Sequence, residues 1–274
     1  MRTDDDDLFD AQPQSLLLTI FGAFLEPRTA PVWSGGLVAI LGYFGFSTAA
    51  ARIALARLVQ RELAERHRKG RHVYYTLTKR SVHLLEDGDE RISSLGERPG
   101  EAVTWTLVWH QLPDSRKAER SNFVRQLRFH GFGHLQDGMW ASPRDYVVEV
   151  TDLVHTLGIG DAVAIFRAAP SGDVAAGPLI GHLWQLDEVA ERYRRFAAKY
   201  APLTRPREMS PREAFVTCTE MLQSFRAFAD IDPELPEEWA THAGARREAI
   251  AVYREALDRL REPAAAHFRE LTRT

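Results

Sequence analysis

The chain has 274 residues, with 35 Lys and Arg against 38 Asp and Glu and a formal charge of −3 with His neutral. Apolar residues at 45% and charged residues at 27% describe a soluble globular chain and exclude disorder as its overall state, and the length suits two domains or three small ones. A net charge near zero argues against a nucleic-acid binder only if the charge is evenly spread, and along this chain it is not.

Residues 1–12 open with Asp4 to Asp7 and read as a mobile acidic tail, the opposite of a basic and then apolar secretory leader. No stretch approaches the ~18 consecutive apolar residues of a membrane span, so no membrane partner is expected and a cytoplasmic protein is. A helix is predicted from Pro13 through Leu16, Leu17, Ile20, Phe21 and Phe24, stopped by Pro27 and Pro31. A second runs from about Trp33 to Phe44, and Gly45 ends it. Ser47 suits the N-cap of a third. There Ala51, Leu55, Leu58 and Val59 fall at i, i+4, i+7 and i+8 as one buried stripe, leaving Arg52, Ile53, Ala56, Arg57 and Gln60 on the opposite face.

The period then changes. Lys69-Gly70 is a turn signal, and Val73, Tyr75 and Leu77 alternate with His72, Tyr74 and Thr76, which predicts a two-stranded ribbon with a basic tip. Helix returns over 80–95. Three helices and then a hairpin is the order of a winged helix-turn-helix, assigned to residues 13–97. Between Ser47 and His83 stand nine Arg and Lys against Glu62 and Glu65, a surplus of +7, so the rest of the chain carries −10.

Glu97 to Gly100 reads as a linker. Val103 to His110 is an apolar strand, ended by Pro113, and 115–130 is a helix with Phe123, Val124 and Leu127 inside. Gly131 stops it, Asp137-Gly138 is a hairpin dipeptide, Ser142-Pro143 opens a helix to about Leu157, and Asp161 to Ala169 is a last strand. The order β-α-β-β-α-β over 101–170 is ferredoxin-like. After a second linker from Pro170 to Pro178 the remainder, 179–274, reads as helical: Leu186 to Tyr200, Pro211 to Phe228, and one or two helices from Ala243 to Leu271. The fold class is thus α+β and multidomain.

The strongest functional signal lies in the first domain. A recognition helix fits the major groove and reads base edges from its N-terminal end. Ser47, Thr48, Arg52, Ala56, Arg57 and Gln60 lie on or near the face away from the buried stripe. Arg pairs with guanine and a short Ala admits a thymine methyl. Arg66, Arg68, Lys69, Arg71 and His72 on the ribbon are candidates for phosphate or minor-groove contacts.

Ser15 to Gly22, Val32 to Leu37, Ala51 to Val59 and Arg71 to Thr78 resemble the opening of the PaaX-type transcriptional regulators, the phenylacetic acid catabolon repressors. Trp105, Gly131-Phe132-Gly133 and Gly138 to Pro143 resemble that family's middle domain, and Phe225 to Phe228 with Asp232 to Pro236 its C-terminal domain. The resemblance covers nearly the whole chain. It implies a homodimeric repressor bound to double-stranded operator DNA, an inverted repeat, and released by a small effector such as an aromatic acyl-CoA thioester.

The middle unit is also similar to the small ferredoxin-like CRISPR-associated nucleases, which carry a metal-binding Asp at the end of the first strand. Here that strand ends Val108-Trp109-His110-Gln111, and Asp114 follows Pro113. A lone Asp is a poor Mg²⁺ site, so the expectation is a non-catalytic coupling module. A metal-dependent nuclease is the alternative, and a protein–protein adaptor a third reading. An acyl-CoA site needs an apolar cavity with cations: Trp105, Trp109 and Trp140 are candidate walls and Arg128, His130 and Arg144 a candidate mouth, unless the tryptophans are simply core. No metal and no cofactor is expected. The single cysteine, Cys218, reads as a buried apolar residue. No G-x-S-x-G, G-x-x-x-x-G-K-[ST] or G-x-G-x-x-G pattern points to an enzyme.

Overall fold

The computed structural model describes residues 12–96, 104–169, 181, 183–235 and 239–273. The acidic tail up to residue 11 and the two predicted linkers lie outside them, apart from Ala169 beside the second. The chain is α+β, mostly helical, with two small antiparallel sheets. In order it forms α1 (Pro13–Phe24), β1 (Val32–Trp33), α2 (Ser34–Tyr43), α3 (Thr48–Gln60), β2 (Ala64–Lys69), β3 (His72–Leu77) and α4 (Lys79–Ser93). Then come β4 (Trp105–His110), α5 (Lys117–Phe129), β5 (Gly133–Gln136), β6 (Met139–Ser142), α6 (Val147–Leu157) and β7 (Val163–Ala168). The C-terminal helices are α7 (Leu186–Tyr200), α8 (Pro211–Arg226), the short α9 (Phe228–Ile231) and α10 (Ala243–Thr272).

The chain packs as two compact units. One takes the chain up to Ser94 with Arg195–Arg226 and everything from Ala249, and the other takes Leu95–Arg194 with Ala227–Glu248.

In the first unit α1 buries Leu16, Leu17, Ile20, Phe21 and Phe24. Its partner is α8, whose Phe215 ring lies 5.2 Å from that of Phe24, and Thr19 on α1 donates to Gln223 on α8 at 2.6 Å. The sheet runs β1-β3-β2. The two-residue strand β1, pairing Val32 with Tyr75 and Trp33 with Tyr74, was not foreseen. Two residues carry no periodicity, so only the partner strand reveals them. Helix α10 continues through Pro263. The proline removes one N–H, but Leu260, Ala264, Ala265 and Phe268 on either side are buried and hold the helix together.

In the second unit the sheet order is β5-β6-β4-β7. Alternation on β4 gives it two apolar faces. Val108 packs with Phe123 and Leu127 of α5, Val150 and Val154 of α6, and Trp140 of β6. Trp105 packs on the other face with Ala141, Leu186, Leu235 and Ala240. Asp137 (φ 47°) and Gly138 (φ 78°) are both left-handed, as a tight hairpin turn needs. A Cβ at Gly138 would also stand 2.2 Å from the His110 carbonyl oxygen. The helix expected from Ser142 starts at Val147 instead. Ser142 stays in the sheet opposite Thr106, whose hydroxyl donates to Arg144 O (2.7 Å) and accepts from Tyr146 N (2.8 Å), holding the loop extended.

Candidate nucleic-acid interface

Helix α3 begins as its sequence dictates. The Ser47 hydroxyl accepts the Ala50 N–H at 3.2 Å, a cap of about 1 kcal/mol. Ala51, Ala54, Leu55 and Leu58 are buried, and Val59 is half-buried. Ser47, Thr48, Arg52, Ala56, Arg57 and Gln60 are all exposed, as is Ile53 at 53%. Ile53 is a large aliphatic group among arginines on the open helix face, beside a groove that it lines with Pro13, Leu18, Ala54 and Leu63, and sequence reading did not single it out as a contact.

The helix ends in a Schellman turn, with Glu62 N–H bonded to Val59 O (2.9 Å) and Leu63 N–H to Leu58 O (2.8 Å). Glu62 takes the left-handed position at φ 56°, a place usually given to glycine. The carbonyls of Glu62 and Leu63 are then held by the first turn of α4: Thr78 Oγ1 donates to Glu62 O at 2.8 Å and the Ser81 hydroxyl donates to Leu63 O. This lock sets where β2 leaves α3.

The ribbon pairs β2 with β3 from Ala64↔Leu77 to Lys69↔His72. Only its base is anchored. Ala64, Tyr75 and Leu77 are buried, whereas Glu65 to Gly70 and Arg71 are exposed. Gly70 makes the turn at φ 62°. Arg68 Nε donates to Gly70 O (3.1 Å) and Arg71 Nε to His72 Nε2 (3.2 Å), which stiffens the tip. His72 is half-buried, 6.1 Å from the Trp33 ring. All eleven candidate DNA contacts thus lie in one unit, on α3 and the ribbon that follows it.

The effector candidates are divided. Trp105 and Trp140 occupy opposite faces of the second unit's sheet. Trp109 is 41% exposed. Arg144 pairs with Glu234 at 3.0 Å, and His130 lies between Phe129 (5.5 Å) and Tyr146 (5.2 Å). Alternation along β4 and β6 prevents three tryptophans from lining one cavity. Arg128 and Trp140 do come together, with the guanidinium 5.7 Å from the ring centroid. They line a cleft of about 430 Å³ with His134, Trp184, Glu188, Arg192 and Asp230. Sequence reading missed Trp184 and Arg192, because they belong to the C-terminal third and only folding carries them to β5. Asp114 is exposed and pairs with Arg120 at 3.1 Å. Among the described residues no group of three or more His, Cys, Asp or Glu could hold a metal ion, and no helix is long and apolar enough to cross a membrane.

Fold and surface together define an α+β protein with a cationic helix-and-ribbon face on one unit. Comparison with known proteins places it more closely. Residues 12–81 match the family model described as PaaX-like protein, 102–177 the PaaX protein central Cas2-like domain, and 184–270 the PaaX-like protein C-terminal domain. The chain belongs to the PaaX-like family. It is similar to the transcriptional repressor PaaX of Escherichia coli (strain K12), at 29% identity over 252 residues, 87% of this chain and 78% of that protein. Among solved structures it is similar in fold to the uncharacterized protein Rv0674 from Mycobacterium tuberculosis, with a TM-score of 0.56 and 21% identity, over 94% of this chain and 98% of that one.

Proposed function

We propose that this protein is a DNA-binding transcriptional repressor. The observation that carries the reading is the exposed row Thr48, Arg52, Ala56 and Arg57 on a helix whose other side buries Ala51, Ala54, Leu55 and Leu58, followed by a ribbon of exposed arginines. In this reading α1–α3 with the ribbon are a winged helix-turn-helix, α3 enters the major groove, and Arg66, Arg68, Lys69, Arg71 and His72 meet the backbone or the minor groove. Ile53 adds an apolar contact to a thymine methyl. The four-stranded sheet with α5 and α6 is a ferredoxin-like coupling domain near 101–170, joining the reader of 13–97 to the helical segment of 179–274.

The protein acts as a homodimer on an inverted repeat, with recognition helices about 34–36 Å apart in successive major grooves. A small effector, an aromatic acyl-CoA thioester, shifts the dimer to a spacing that fits the operator poorly, by no more than its differential affinity for the two states. It works in the cytoplasm, as a regulator and not as an enzyme. The relative's printed name, transcriptional repressor, supports this.

The test is a mobility-shift titration with promoter DNA from the protein's own locus. Arg52→Ala and Arg57→Ala are each expected to weaken binding by about 1–3 kcal/mol and to relax base preference. Unchanged binding by both would remove α3 from the interface, and affinity indifferent to salt would point to a protein-binding adaptor instead.

A further inference from the structure

A groove of about 590 Å³ runs along α3 in the first unit. One wall is α3 itself. Ala50, Ile53, Ala54, Arg57, Leu58 and Arg61 fall at i, i+3, i+4, i+7, i+8 and i+11, a single stripe that ends on the C-cap. The other wall is the start of α1, from Gln12 to Ser15 with Leu18. The floor is apolar: Ala54 and Leu58 are buried, and Leu18 and Leu63 half-buried. The rim is cationic: Arg57 and Arg61 are exposed, and among the described residues neither has a carboxylate partner. The first turn of α1 holds no acidic residue, and Gln12 caps it with no side-chain bond, so the positive end of the helix dipole adds to the rim.

Two features of this groove must be met together. An acidic segment without apolar groups would leave the floor wet. An apolar segment without charge would strip water from two unpaired guanidiniums. Residues 4–10, Asp-Asp-Asp-Asp-Leu-Phe-Asp, combine the two, with five carboxylates set around Leu8 and Phe9. They also join the fold at Gln12, where one wall of the groove begins. Reach is no obstacle. The eight residue steps from Gln12 back to Asp4 span up to about 26–29 Å, and the 13 residues of α3 extend only about 20 Å.

We propose that residues 4–10 of the same chain occupy this groove, with Leu8 and Phe9 on the apolar floor and the carboxylates at Arg57 and Arg61, and that they compete there with DNA. This rests on α3 being the helix that reads DNA. Arg57 and Ile53 belong both to the groove and to the open face of α3, so the segment and a duplex cannot hold them at once. A short tether supplies an effective concentration of about millimolar. A contact too weak to matter between separate molecules therefore keeps the groove mostly filled. The apparent affinity for DNA falls by the fraction of molecules whose groove is open.

The experiment compares full-length protein, a form lacking residues 2–11, and a Leu8→Ser, Phe9→Ser double variant. Binding to promoter DNA from the protein's own locus is read by mobility shift. The truncated form is expected to bind about three- to tenfold more tightly at low salt, and the gain to shrink as salt screens the carboxylates. The double variant keeps all five carboxylates and is expected to show most of the same gain. Wild-type affinity in it would mean that charge acts without docking, and wild-type affinity in the truncated form would mean that nothing competes; either result overturns the proposal. A second readout needs no DNA. A fluorescently labelled peptide of residues 1–11 is titrated with the truncated protein and followed by anisotropy. Saturation in the range of about 0.1–1 mM is expected, weakened about two- to fivefold by Arg61→Gln and lost when Leu8 and Phe9 of the peptide are serine. A peptide that does not bind, with less dimer in the truncated form, would give the groove to a second copy of the chain and overturn the proposal. Peptide binding in a protein that ignores promoter DNA in every form would support the docking and remove the DNA reading and the competition with it.

Discussion

The hydroxyl of Tyr193 on α7 donates to Asp232 Oδ2 at 2.7 Å, and both side chains are sealed from solvent. The carboxylate is ringed by further partners: His242 Nε2 lies 3.0 Å from Oδ1, and Arg246 Nη1 is 3.4 Å from each oxygen. Glu234, two residues on, bonds Gly96 N (3.2 Å) and Arg144 (3.0 Å), and Leu235 packs against Trp105. The Asp-Pro-Glu-Leu run is thus the clasp of the second unit. Asp232→Ala leaves Arg246 and His242 buried without their acceptor and is expected to cost about 3–5 kcal/mol, or to unfold the unit. Tyr193→Phe removes one of several bonds to the carboxylate, for about 1–3 kcal/mol. Denaturant titration of the two variants checks the ranking.

The same cluster sets an acid limit. Burial pushes the Asp232 carboxyl up, but the His242 bond, the positive charge of His242 and Arg246 and the Tyr193 hydroxyl together hold it below its ordinary value of 3.8. A carboxyl depressed on folding contributes stability that is present above its unfolded pKa and lost as pH falls through the lower folded one. Stability in the wild type is therefore expected to fall below about pH 4, with a weaker fall in Asp232→Asn. Parallel acid-titration slopes for the two proteins would contradict this.

Glu62 pays a conformational penalty that glycine would not, since its φ of 56° is left-handed. Its carbonyl bond to Thr78 involves backbone only on the Glu62 side and survives substitution. Glu62→Gly is expected to raise stability by up to about 1 kcal/mol, with the gain tempered by glycine's greater freedom in the unfolded chain. A shift in melting temperature to lower values would contradict it.

Gly36 on α2 lies against the end of α10, where a Cβ would stand 2.3 Å from the Leu271 carbonyl oxygen. Backbone cannot yield as a side-chain tip can. Gly36→Ala is expected to destabilise by about 1–3 kcal/mol even though alanine favours helix. Removing residues 269–274 from that variant should recover part of the loss, which calorimetry would register.

Cys218 is fully buried on α8, and burial pushes its thiol up to about 12. Only the thiolate reacts. The native protein is expected to resist a thiol-specific reagent at neutral pH and to become reactive only on unfolding, and stoichiometric labelling of the folded protein would show the helix assignment to be wrong.

Much of the fold was legible because single elements carry their own signals. The Ser47 cap and the i, i+4, i+7 stripe of α3 separated a packed face from an open one, and the structure buries Ala51, Leu55 and Leu58 and exposes Arg52, Ile53, Ala56 and Arg57 accordingly, while adding Ala54 to the buried side and leaving Val59 half-buried. Asp137-Gly138 announced its hairpin. Two things were not legible at this level. Strand β1 is too short to have a period. The start of α6 is deferred by the Thr106 hydroxyl, a group almost forty residues upstream.

By itself the sequence determined the local charge surplus between Ser47 and His83, the open face of α3 and the family resemblance, because cap, period and charge are properties of neighbouring residues. Tertiary structure alone decided which distant residues meet. It divided the three tryptophans between two sheet faces, since alternation on paired strands depends on register. It also brought Trp184 and Arg192 to Arg128, and Tyr193, His242 and Arg246 to Asp232. Those meetings depend on how helices and sheet close around shared apolar surface, which no local pattern encodes.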